Sequence, residues 1–203
     1  MPELVERSLS VAGRALDLLL PRDLEELFTP RAYADERFAP YWAELWPSAL
    51  ALADAVAAVA PGTRTLELGC GLGVPSLRAA LAGHDVTATD WTPDAVALLE
   101  GNAARNGARL AVRAWDWTTD PAPLDPPFDL VVAADVLYER AQVGTVLTAL
   151  PALVAPGGQV WVADPGRPAA REFTARAARD WAVDRVPHAG PAEVAIHRLR
   201  APA

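Results

Sequence analysis

Residues 66–73 read Leu-Glu-Leu-Gly-Cys-Gly-Leu-Gly, a short apolar run that enters three glycines at alternate positions, Gly69, Gly71 and Gly73. A second apolar run, 86–89, ends on Asp90. Glycine has no Cβ, so the main chain can turn sharply there and approach a ligand; an acid roughly 20 residues further on can accept both hydroxyls of a ribose. A strand, a glycine turn, a helix and a second strand make the repeating unit of a parallel α/β sheet, which constrains the class of the whole chain.

The rest of the chain continues the alternation. A helix is predicted after Pro47, with an apolar face through Leu50, Leu52, Val56 and Val59 and a stop at Pro61-Gly62. Strands are predicted over 65–68, 86–89, 110–114, 130–134 and 160–163, and the unbroken apolar runs at 130–134 and 160–163 suit strands buried on both faces. Helices are predicted after Pro75, from Thr92-Pro93 to Asn106-Gly107, over 139–153 with a stop at Pro156-Gly157-Gly158, and over 169–179. Segments 181–186 and 194–199 alternate as strands and are joined by 187–191, short enough for an antiparallel hairpin. Residues 3–28 read as helical with a break at Pro21, and 31–40 as a connection ending in a proline-marked turn. The expected fold is α/β: a doubly wound, Rossmann-like seven-stranded sheet, mostly parallel with an antiparallel edge strand and helices on both faces. One domain over 1–203 is expected, with an N-terminal helical segment at 1–47 and the Rossmann-like core at 48–203. Ligands of such sheets lie beyond the carboxyl ends of the strands, so the tails at Gly69, Asp90, Trp115, Asp135 and Asp164 should line one crevice.

Composition narrows the partners. The net charge of −8 argues against broad contact with nucleic-acid phosphate, which demands clustered cations, and favours a basic or small partner. All 18 basic residues are arginine. Apolar stretches break well short of a membrane span, and Glu3, Glu6 and Arg7 stand where a secretion signal would be apolar, so a cytoplasmic protein is expected. Cys70 has no second cysteine to pair with and reads as a small spacer in the glycine loop, and His84, His188 and His197 lack ligand-like spacing with it, so no metal site is expected. A monomer is the default.

The glycine spacing selects the cofactor. A dinucleotide site calls for G-x-G-x-x-G to seat a pyrophosphate, but the third glycine position holds Val74 and the run is E-x-G-x-G-x-G. A ligand without pyrophosphate fits, with Glu67 near the base of the loop to hold a cationic amino group. S-adenosylmethionine has that composition.

With these motifs the chain resembles the class I, seven-strand S-adenosylmethionine-dependent methyltransferases. The flanking runs Pro40-Tyr41-Trp42-Ala43, Leu45-Trp46-Pro47, Asp135-Val136-Leu137-Tyr138 and Asp164-Pro165-Gly166-Arg167-Pro168 resemble one branch, methyltransferase family 16, rich in protein lysine methyltransferases. The resemblance implies that Glu67, Gly69, Gly71 and Gly73 hold the methionine part of the cofactor and Asp90 its ribose. It further implies that Trp91 lies against the adenine, Asp116 and Trp117 form the adenine-edge pair, and Trp46 covers the cofactor from the N-terminal segment. The resemblance also implies that Asp135 contributes to the cofactor site and that Asp135, Tyr138 and Asp164 form the acceptor side. S-adenosylhomocysteine would be the product.

Asp125-Pro126-Pro127-Phe128 has the form of a motif used on planar amino groups, but it precedes the strand at 130–134 and so belongs at the wrong end of it. Methyl transfer from a sulfonium needs a neutral nucleophile held in line and shielded from water, more than it needs a general base. For a lysine of solution pKa about 10.4, an aromatic pocket favours the neutral amine, while Asp135 or Asp164 would attract and orient the incoming cation. The expectation is an enzyme that N-methylates lysine side chains of a protein. A small-molecule N- or O-methyltransferase is the first alternative, and a non-catalytic domain that keeps the fold for association is the second.

Overall fold

Residues 3–28, predicted helical, instead form an antiparallel hairpin of β1 (Leu4–Val11) and β2 (Arg14–Pro21), followed by a 3-10 turn at Glu25–Leu27. The computed structural model describes residues 2–35, 38–188 and 193–201. The hairpin has a physical cause that helix-forming residue types conceal. Leu16 and Leu18 are buried while Ala15 and Asp17 are exposed, which is strand periodicity. Ala12 and Gly13 both take positive φ, +48° and +72°, as a two-residue turn between twisted strands requires.

The hairpin is moored by a helix far along the chain, α4 (Pro93–Asn106). Asn102 accepts from the Leu19 N–H at 2.7 Å and donates to the Leu19 carbonyl at 3.1 Å. One turn on, Asn106 does the same for Asp17, at 2.9 and 2.8 Å. Two amide side chains thus satisfy part of an edge strand that has no further strand beside it. Leu16 and Leu18 pack with Leu77, Leu99 and Ala103 in the same cluster.

Between hairpin and core lie the short helix α1 (Pro30–Ala34), within a segment expected to be a connection, and a 3-10 turn at Tyr41–Ala43. α2 (Pro47–Val56) then starts at the expected proline. The core strands are β3 (Arg64–Leu68), β4 (Asp85–Asp90), β5 (Ala111–Ala114), β6 (Phe128–Ala134), β7 (Val154–Asp164), β8 (Ala182–Pro187) and β9 (Ala195–Arg200). They form one seven-stranded sheet in the order β5-β4-β3-β6-β7-β9-β8. The first five are mutually parallel, and β9 runs antiparallel to both β7 and β8, so the hairpin makes the antiparallel edge region. Of the 187–191 connection, residues from 189 onward lie outside the described residues.

Helices α3 (Val74–Leu81), α5 (Arg140–Leu153) and α6 (Pro168–Ala177) complete the layers. Glu139 opens α5 in a reciprocal capping box with Gln142, and Gly107 ends α4 in the left-handed conformation at φ +62°. One expected stop is displaced. Residues 156–158 lie inside β7, which begins directly after α5, and the register against β6 shifts between Phe128 and Leu130. The order of strands reverses between β3 and β6, and the crevice opens there.

Candidate active site

Beyond the carboxyl ends of β3, β4 and β6 lies a cleft of about 360 Å³, within the range of a small-molecule site. Glu67, Gly69, Gly71 and Gly73 form its base, Asp90 and Trp91 one side, Asp135 and Tyr138 the other, and Trp42 and Trp46 come over it from the N-terminal segment. The helical segment expected over 1–47 is instead a hairpin, a short helix and 3-10 turns, and its Tyr41, Trp42 and Trp46 line the cleft. The covering piece is the 3-10 turn at Tyr41–Ala43 running into α2, and the hairpin stands behind the core instead.

The glycine loop owes its composition mainly to the protein's own packing. Gly73 has φ +71°, and a Cβ there would fall inside the Leu99 side chain of α4. Gly71, at φ +49°, would press a Cβ to 2.7 Å from the Trp42 carbonyl oxygen. Both positions therefore admit only glycine, for backbone shape and for close packing. Cys70 is buried among acids, which pushes its thiol well above the ordinary range, chiefly by desolvation. It is a spacer, not a nucleophile.

Two acids lie at the base. Glu67 accepts the Ser76 N–H at 3.0 Å and the Ser76 hydroxyl. Burial outweighs those bonds and raises its carboxyl to about 8. Asp90 accepts the Gly71 N–H on one oxygen and the Thr92 N–H on the other, both at 3.0 Å. Desolvation raises its pKa as well. A carboxylate has about four acceptor sites, so hydroxyls can still bind beside these amides.

At the other end, Asp135 follows β6 with φ +58°, a left-handed conformation that aspartate tolerates better than most residues. Its side chain is 5% exposed, and one oxygen is ion-paired with Arg167 Nη1. The other, Oδ2, is buried and accepts no hydrogen bond. Around it stand aromatic rings: Tyr41 meets Trp46 edge-on at 6.1 Å and Tyr138 at 5.5 Å, and the Trp46 indole donates to the Tyr41 carbonyl at 2.9 Å.

Three expected site residues lie elsewhere. Asp164 is fully buried behind the cleft wall, where Oδ1 accepts the Gly166 and Arg167 N–H groups, both at 2.7 Å. It shapes the turn into α6 and reaches the cleft only through Arg167, because a carboxylate at that depth is held by the amides nearest it. Asp116 turns its carboxylate onto the Thr118 N–H and hydroxyl at 2.8 Å each, outside the cleft lining. Trp117 packs behind Gly69, its ring 3.6 Å from where a Cβ would stand. Trp115, from the same strand tail, is a core residue donating to the Asp120 carbonyl. Arg167 lines the cleft, paired with Asp135, and is not among the expected site residues. A signal for it exists: Pro168 starts α6, which makes Arg167 the residue at the helix mouth on the strand-tail side of the sheet. Asp125 lies at the amino end of β6, bonded to Arg64, as its place in the sequence requires.

Residues 65–158 match the family described as a methyltransferase domain. Over 127 residues the chain is 34% identical to EEF1A lysine methyltransferase 3 of Mus musculus, covering 60% of this chain and 54% of that protein. Over 133 residues it is 32% identical to the electron transfer flavoprotein beta subunit lysine methyltransferase of Danio rerio, covering 63% and 51%. The chain thus spans about half the length of these relatives. Other relatives carry the names of a release factor glutamine methyltransferase, a 23S rRNA methyltransferase and ubiquinone biosynthesis O-methyltransferases. Among solved structures, T. thermophilus RsmC, a 16S rRNA methyltransferase in complex with AdoMet and guanosine, superposes with a TM-score of 0.66 at 18% identity, over 98% of this chain and 51% of that one. Residues 65–158 thus match a methyltransferase domain, on a Rossmann-like fold shared with the solved methyltransferase it superposes on.

Proposed function

We propose that the protein transfers the methyl group of S-adenosylmethionine to a lysine side chain of another protein, as in the family 16 branch that its flanking motifs resemble. The observation that carries this reading is Asp135: a buried carboxylate that lines the cleft with Tyr41, Trp46 and Tyr138 and has one oxygen, Oδ2, that accepts no hydrogen bond. A buried oxygen without a partner is unfavourable, so the site calls for a donor, and an ammonium supplies both the donor and the charge. Two lysine methyltransferases among the relatives support the acceptor class.

The residues present fit the cofactor. Glu67 would hold its amino group, the main chain at Gly69, Gly71 and Gly73 its methionine part, and Asp90 the ribose, with Trp91 at the adenine end and Trp46 as the cover. Asp116 and Trp117, outside the cleft lining, take no part in this arrangement. When bound, the sulfonium supplies an electrophilic methyl. Asp135 draws the acceptor ammonium in, and the aromatic wall then favours loss of a proton to solvent by disfavouring the charged form. The neutral amine held by Asp135 and the aromatic wall would take that methyl, its lone pair forming the C–N bond while the S–C bond is given up and a thioether is left. Tyr138, 37% exposed, forms the outer lip through which a long side chain would enter.

The test is incubation of the protein and tritiated S-adenosylmethionine with a cell lysate. Label in protein bands, recovered as methyllysine after hydrolysis, is the expected result. This chain contains no lysine, so methyllysine cannot arise from the enzyme itself. Label confined to metabolites would give the small-molecule reading instead, which the ubiquinone-pathway relatives favour.

A further inference from the structure

Arg167 occupies the position in the cleft that suits the acceptor's charge. It is the one basic residue among the described residues lining the cleft; the other ionisable residues there include the acids Glu44, Glu67, Asp90 and Asp135. Its Nη1 pairs with Asp135 and lies 3.5 Å from Asp164 Oδ2, and the guanidinium stands over the Trp46 ring at 5.9 Å from the centroid. A cation between a carboxylate and an indole face is the arrangement that binds organic ammonium groups.

The pairing is incomplete. Two carboxylates face one guanidinium, which leaves a negative charge in excess, and neither Asp135 Oδ2 nor Asp164 Oδ2 accepts a hydrogen bond. The Arg167 main chain is pinned by Asp164 Oδ1, whereas its side chain is 27% exposed and attached through a flexible stem. The guanidinium can therefore leave for solvent without moving α6 or the turn before it.

We propose that Arg167 is a displaceable resident cation that sets acceptor specificity: an alkylammonium group replaces its guanidinium at Asp135, beside Trp46, Tyr41 and Tyr138. This rests on the amine-transfer reading and adds to it the selection of positively charged acceptors. Asp135 stays neutralised while no acceptor is present. An anionic acceptor gains nothing, because the excess charge at the site is negative. Arg167 acts through Asp135 and is a specificity residue, not a catalytic one.

The experiment titrates n-butylammonium chloride, and separately sodium n-butyrate, into the full chain with and without S-adenosylhomocysteine, followed by tryptophan fluorescence and calorimetry. Arg167→Gln is expected to tighten n-butylammonium binding at least about tenfold, the equivalent of one resident competitor removed. Asp135→Asn added to that variant should abolish the gain, and Arg167→Lys, which keeps the charge, should restore most of the competition. A gain of binding is a readout that damage to the fold does not produce. Unchanged or weaker n-butylammonium binding by Arg167→Gln would overturn the proposal. So would n-butyrate binding that the wild type shows and Arg167→Gln loses, which would make Arg167 an anchor for anions. The two readings fail separately: absence of S-adenosylhomocysteine binding strikes the cofactor assignment, while the ammonium titration without it still decides the role of Arg167.

Discussion

The carboxylate of Glu67 is bound twice by Ser76, through the N–H and the hydroxyl, and both partners are about 1% exposed at the base of the cleft. Glu67 is next to last in β3 and Ser76 lies in the first turn of α3, so the bond closes the strand-turn-helix unit on itself. It also leaves a carboxyl that burial has raised to about 8, and that value controls how the site responds to pH.

At pH 7 Glu67 is mostly protonated in the free protein, and a cofactor ammonium beside it would favour the ionised form. Binding of S-adenosylhomocysteine should release close to one proton at pH 7, read as binding enthalpies that differ between phosphate and Tris buffers. Affinity should rise roughly tenfold per unit as pH climbs towards 8 and then level off. In Glu67→Gln the proton release should disappear.

The same group ties stability to pH. A carboxyl raised in the folded state stabilises fully below its unfolded value of 4.5, and that contribution is lost as pH rises through about 8. The free protein should lose up to ~1.4 kcal/mol per pH unit within that window, seen as falling urea midpoints. Asp90, raised by its own burial, acts in the same sense. Glu67→Gln should flatten the slope.

Asp90→Ala removes the acceptor of the Gly71 and Thr92 amides together with the proposed ribose ligand. Cofactor affinity should fall by about 100-fold or more. Unchanged affinity by calorimetry would mean that the ribose binds elsewhere.

Asp135→Asn should behave differently. It leaves the base of the cleft untouched, so S-adenosylhomocysteine binding should stay near wild type while kcat/KM for the acceptor drops about 10- to 100-fold. Normal turnover would place the acceptor away from Asp135.

The N-terminal hairpin should contribute stability without touching the chemistry. Leu18→Ala, at a position with no exposure, should lower stability by about 2–5 kcal/mol. Asn102→Ala leaves both main-chain groups of Leu19 without their partner and should cost about 1–3 kcal/mol. Denaturant midpoints measure both, and the cofactor affinity of the folded fraction should not change.

How far the sequence could be read depends on the range of the forces involved. The alternation of strands and helices from Pro47 onward, and the assembly of Glu67, Asp90 and Asp135 at one end of the sheet, follow from local periodicity and from the rule that parallel strands share a direction. Residues 3–28 carry conflicting local signals, because Ala, Leu, Glu and Arg favour helices while the apolar alternation that suits a strand acts only once a partner strand is beside it.

By itself, then, the sequence determined the α/β class, the glycine turn and the acids at the strand tails, since each is written in a few adjacent residues. Tertiary structure decided the rest. Asn102 and Asn106 moor a hairpin more than 80 positions upstream; Leu99 and Trp42 make Gly73 and Gly71 obligatory; and the Gly166 and Arg167 amides draw Asp164 out of the cleft and leave Arg167 in it. Apart from the local Asp164 turn, these are contacts between segments distant along the chain, Arg167 with Asp135 among them, and only folding puts such groups within reach of each other.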